Sequence, residues 1–151
     1  MPRWMTHDVT IARPITVVFV QLTRLGGWPE WMAAVLEARQ TSTGPLGVGA
    51  TFAARIQEGE HTRELVGEII AYEPPHVVAY RDSAALGMAA VRYTLEAVVG
   101  GTRVRVTVDT APGAPALSVA AMRSVRLDLG ALKTWLEIGI APAGPGPRDK
   151  A

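Results

Sequence analysis

Alternation of apolar and polar residues with a period of two runs through most of the chain, and a 3.6-residue period replaces it near the end. Met5, His7, Val9 and Ile11 alternate with Thr6, Asp8 and Thr10, which predicts a first strand ended by Arg13-Pro14. Pro14 suits a first helical turn, and Val17, Val18, Leu22 and Leu25 predict a short amphipathic helix closed by Gly26-Gly27. Trp28-Pro29-Glu30-Trp31 opens a second short helix. From Ala34 to Thr110 the pattern predicts six strands, at 35–43, 49–57, 62–73, 76–82, 88–98 and 102–111. No helical stretch between them is long enough for a parallel crossover, so they form an antiparallel meander. Leu65, Gly67, Ile69 and Ala71 face inward, because Glu64 and Glu68 belong in water, paired with Arg55 or Arg81. Arg63 shares the inward parity near a rim.

A long helix is predicted from Ala116 to Ile138, with Leu117, Ala121, Val125, Leu132, Trp135 and Leu136 on one stripe. Arg123, Arg126, Lys133, Thr134 and Glu137 mark the solvated edge. Ser124 and Asp128 fall inside the apolar stripe. A carboxylate there is costly unless it meets a polar partner, a bound molecule or an open cavity. An arginine on the sheet, or a helix rotated enough to expose the acid, would meet the same requirement.

Composition narrows the function classes. A chain of 151 residues, 48% hydrophobic and 19% charged, supports one folded domain over residues 1–140, and the Pro- and Gly-rich 141–151 segment is expected to be a disordered tail. Lys+Arg 15 against Asp+Glu 14 offers no basic footprint for nucleic acid. The absence of cysteine excludes disulfides and thiolate metal sites. His7, His61 and His76 lack metal-ligand spacing, so no metal is expected. Without a leader pattern or a long apolar run, the expectation is a cytoplasmic monomer or homodimer with no membrane span.

The order of strand, two short helices, six-stranded meander and long terminal helix is the helix-grip arrangement, an α+β fold in which a curved antiparallel sheet of about seven strands wraps around one helix. Six phrases occur along the chain in order: Ile11-Ala12-Arg13-Pro14 before Val18-Phe19, Trp28-Pro29-Glu30-Trp31, Gly47-Val48-Gly49-Ala50-Thr51-Phe52, Tyr72-Glu73-Pro74-Pro75, Gly100-Gly101-Thr102-Arg103-Val104, and Leu132-Lys133 before Trp135-Leu136-Glu137. In these phrases the chain resembles the START/Bet v1-like (SRPBCC) superfamily, particularly its polyketide cyclase/dehydrase group. The phrases are turns, strand ends and packing positions, so they speak for the fold and carry no catalytic motif.

A sheet gripping a helix encloses volume, and small inward residues such as Ala54, Gly67, Ala71, Ala89 and Ala97 leave it open. Leu86, Met88, Tyr80, Tyr93, Trp31, Phe52 and Met122 are candidate lining residues, and larger neighbours collapsing inward are the competing outcome. Asp128 is the candidate general acid or base, since desolvation raises a carboxyl pKa toward a useful range. Ser124 reaches a ligand or bonds its own helix; Arg63 binds an acidic or phenolate oxygen or sits solvated at a strand end. Tyr80 and Tyr93 orient a ligand oxygen or satisfy backbone carbonyls. The expected function is binding of a hydrophobic small molecule, such as a polyketide, aromatic or other secondary metabolite, with or without cofactor-free cyclisation, dehydration or isomerisation. A non-catalytic carrier or sensor of a lipid-like ligand is the alternative, and a partner-binding module using the edge near Gly44 to Gly49 is a further one.

Overall fold

A computed structural model describes residues 3–82, 88–110, 113–114 and 116–139. Strand β1 (Trp4–Ile11) leads into helix α1 (Ile15–Thr23) and a 3₁₀ segment over Leu25–Glu30. The meander follows as β2 (Val35–Gln40), β3 (Thr51–Glu58), β4 (His61–Glu73), β5 (Val77–Asp82), β6 (Met88–Val98) and β7 (Gly101–Thr110). Helix α2 (Val119–Ile138) closes the fold. All seven strands form one antiparallel sheet ordered β1-β7-β6-β5-β4-β3-β2, so the first strand returns beside the last. The helix-grip expectation holds in both element order and topology. The expected tail at 141–151 lies outside the described residues.

Differences from the sequence reading have local causes. Helix α1 ends at Thr23, whose hydroxyl donates back to the Phe19 carbonyl at 2.9 Å, and Gly26-Gly27 lie inside the 3₁₀ segment instead of closing the helix. Trp28-Pro29-Glu30-Trp31 completes that segment and opens no new helix; the Trp28 indole N–H donates to the Leu22 carbonyl at 3.0 Å and fixes the turn against α1. In β4 a register shift between Ile69 and Ala71 places Ala71 opposite Ala79, off the inward face, and brings Tyr72 in against Phe19 with ring centroids 5.7 Å apart. Ala97 is exposed at the end of β6. Glu68 pairs with Arg81 at 3.0 Å as expected, whereas Arg55 pairs with Glu37.

Helix α2 begins at Val119, because the Ser118 hydroxyl accepts from the Ala121 N–H at 3.0 Å, and it ends at Gly139, which takes φ 71 and donates to the Trp135 carbonyl. Its buried line is Leu129, Leu132 and Leu136, a stripe centred closer to Leu129 than the pattern suggested. Its last turns are clasped to the strand-to-helix corner. Glu137 accepts from the Ala12 N–H at 2.8 Å and from Lys133 Nζ at 2.7 Å, Lys133 also donates to the Thr10 carbonyl, and Arg13 donates to the Leu136 carbonyl. The C-terminal half of α2 is therefore packed and tethered. Its N-terminal half spans a gap.

Candidate functional site

That gap is a chamber of about 270 Å³ between the sheet and α2. Alternation supplies its floor: Ile56 on β3, Leu65 on β4, Tyr80 on β5, Val91 and Tyr93 on β6, and Val106 and Val108 on β7 all project to the same side. The roof comes from one face of α2, where Ala121, Ser124, Val125, Asp128 and Leu129 recur at spacings of three and four. Met32, Ala34 and Val35 form a side wall, and Gln57, Glu58 and Arg63 rim the mouth. The walls are largely hydrocarbon, and four polar side chains punctuate them.

Asp128 sits partly buried on the roof. One carboxylate oxygen accepts from the Ala33 N–H at 3.2 Å, across 95 residues of chain. Burial among apolar groups raises its pKa from the ordinary value to about 6, and the Ala33 N–H opposes that rise. Among the described residues no arginine pairs with it, so the ion-pair alternative is not found there. Below the acid lie the Tyr80 and Tyr93 phenols, and burial pushes both well above the usual range. The Asp128 charge acts on both phenols in the same direction. Both therefore keep their protons at neutral pH.

The tyrosines are held from behind. Tyr80 packs against Trp28 and Phe52, with centroids 5.4 Å and 5.3 Å away, and Trp31 meets Tyr93 edge-on at 6.4 Å. Phe52 and Trp31 thus support the chamber without lining it, and Met122 also lies off its surface. The Trp31 indole N–H is buried with no hydrogen-bond partner among the described residues. Arg63 sits at the mouth, ion-paired to Glu58 at 2.6 Å across the β3–β4 hairpin, and Ser124 is exposed at the roof's outer edge. Leu86 and the Met88 side chain lie outside the described residues.

Five sequence candidates thus converge: Asp128, Tyr80, Tyr93, Arg63 and Ser124. Leu65, Val91, Val106 and Val108 are lining residues that the inward parity of the meander already contained. Met32 and the Ala33 N–H had no such signal, because a backbone donor leaves no mark on a sequence. Among the described residues no group of three His, Asp or Glu side chains is placed to hold a metal. No helix there is long and apolar enough to cross a membrane.

The family model for polyketide cyclase / dehydrase and lipid transport proteins matches residues 4–137. The chain belongs to this family. Solved structures similar to this family member share its fold at low identity. The di-domain ARO/CYC StfQ from the steffimycin biosynthetic pathway gives a TM-score of 0.72 at 17% identity, covering 88% of this chain and 44% of that one. Ara h 8.0201 gives 0.68 at 18% identity over 89% of this chain and 94% of its own. The Aha1 dimer from Colwellia psychrerythraea gives 0.65 at 20% identity over 90% and 97%. No curated protein sequence matches the chain significantly.

Proposed function

We propose that the protein binds a compact hydrophobic small molecule in the chamber between its sheet and α2, and we take residues 1–140 as a single ligand-binding domain. The observation that carries this is an apolar chamber of about 270 Å³ with one partly buried carboxylate on its roof. Ligand pockets run from about 300 to 1,000 Å³, so this one favours one or two rings over an extended polycycle. Family membership and the likeness to an aromatase/cyclase domain support the same class of ligand, an aromatic, polyketide or other secondary metabolite. Native mass spectrometry of freshly isolated protein, followed by extraction, tests it. A retained apolar molecule, displaced in a Val125→Trp variant that fills the chamber, is the expected result; an empty protein that binds no hydrophobic probe would refute it.

A second reading, proton transfer by Asp128 in a cofactor-free cyclisation, dehydration or isomerisation, is favoured by its pKa of about 6. An acid near neutrality exchanges protons in both directions under ordinary conditions. Asp128→Asn distinguishes this from a carrier or sensor. An enzyme loses turnover while the variant stays folded; a carrier keeps its ligand unchanged and its affinity intact.

A further inference from the structure

We propose that Tyr80 and Tyr93 form an oxyanion clamp facing Asp128 across the chamber, which assigns the site to one- or two-ring ligands carrying an enolisable carbonyl or a phenol. This rests on the chamber being the binding site. Tyr80 pairs in register with Val91, and Val78 with Tyr93, so the phenols are diagonal neighbours on the inward face of β5 and β6. Each phenol lines the chamber and keeps its proton at neutral pH, so each O–H can donate into it.

Asp128 complements this arrangement from the opposite wall. Ala33 engages one carboxylate oxygen, and among the described residues the other has no hydrogen-bond partner. The groups facing the acid are the two phenols, the Arg63–Glu58 pair at the mouth, and Asp82 farther along β5, whose charge also acts on Tyr80. A bound ketone would place its oxygen on the phenol donor and its adjacent carbon beneath the carboxylate. Ionised Asp128 then removes a proton from that carbon, the C–H pair becomes a C=C bond, and the carbonyl π pair moves to oxygen. The oxygen accepts a hydrogen bond from the phenol, which retains its own proton. Asp128, now a neutral acid, returns a proton to the same carbon, which exchanges its hydrogen, or, where a C=C bond is conjugated to the enolate, to the far carbon of that bond, which gives an isomer. Where the ligand holds a second carbonyl, the enolate carbon attacks it instead and the same proton goes to the new alkoxide.

Two aromatic probes of equal shape, naphthalene and 2-naphthol, isolate the clamp by fluorescence titration. Wild-type protein should prefer 2-naphthol by about tenfold, the worth of one well-made hydrogen bond, and Tyr80→Phe combined with Tyr93→Phe should erase the preference while naphthalene affinity changes less than about twofold. Equal affinities in wild type overturn the clamp and leave the chamber standing. Binding of neither probe overturns the chamber, and the clamp with it. The reaction is tested by NMR of 1-tetralone in heavy water, where exchange at the carbon next to the carbonyl should accelerate as pH rises through about 6. Asp128→Asn should abolish the acceleration and Tyr80→Phe combined with Tyr93→Phe should reduce it by at least about tenfold. Exchange no faster than buffer overturns the enolising step.

Discussion

Phe52 occupies the space that any side chain at position 67 would need: a Cβ on Gly67 would overlap the Phe52 ring. The two residues are direct cross-strand partners on β3 and β4. Gly67 therefore provides a seat for an aromatic ring instead of leaving a void. That ring, fully buried between Trp28 and Tyr80, holds the phenol wall of the chamber in place. The open volume comes from elsewhere, where α2 bridges the floor near Asp128.

Gly67→Ala should destabilise the fold. Alanine would ordinarily gain about 0.5–1 kcal/mol in a strand through chain entropy. Here the Phe52 ring is fully buried against Trp28 and Tyr80, and overpacking of this kind costs about 1–3 kcal/mol. Urea unfolding decides the sign; a stabilised variant would mean that Phe52 has room to retreat.

Asp128→Asn should stabilise the protein above pH 7 and do so less as the solution is acidified. The folded pKa of about 6 lies above the unfolded value of 3.8, so the native state binds a proton more readily. Stability from this group is complete below pH 3.8 and is lost as pH rises through 6. The penalty at high pH is of order 3 kcal/mol, and the neutral amide escapes it. Thermal unfolding of both proteins at pH 4.5 and pH 8 measures the difference; a constant gap between them would show that the acid is not desolvated.

Arg63→Ala should leave stability within about 1 kcal/mol of wild type, because its ion pair with Glu58 is partly exposed. Removing it widens the mouth of the chamber. The expected consequence is faster probe entrance and release with little change in melting temperature, read by stopped-flow fluorescence.

Glu137→Ala should loosen the clasp between α2 and the β1–α1 corner, leaving the Ala12 N–H without its acceptor and Lys133 with the Thr10 carbonyl alone. A loss of about 1–2 kcal/mol is expected in denaturant unfolding. Both donors hold the Glu137 pKa below its usual value, so this contribution is present at neutral pH and is lost as pH falls through the folded pKa. The difference between variant and wild type should accordingly shrink in acid.

Much of the architecture was legible because it depends on local rules. The strands from β3 to β7 lie within one or two residues of their predicted ends, since each is bounded by Gly, Pro or charged turns. Asp128 declared itself by interrupting an apolar stripe, and the phenols shared the inward parity of their strands. Ala71 departs from the inward parity because a single bulge reverses parity beyond it, and the alternation on either side of a bulge looks the same in sequence. The sequence makes Phe52 and Trp31 candidate lining residues, yet an inward aromatic can border a cavity or pack behind one. Only the neighbours of the ring distinguish these cases.

The sequence by itself determined the order of elements, the antiparallel meander, the terminal helix and the presence of an acid on its apolar face. Periodicity and turn chemistry act over a few residues, and nothing distant is required to read them. The tertiary structure decided where the chamber lies, that Ala33 steadies the acid from 95 residues away, and that Tyr80 and Tyr93 sit together beneath it. Those relations depend on the rotation of α2 over the sheet and on the register of neighbouring strands. Both are settled by packing among residues far apart in the chain.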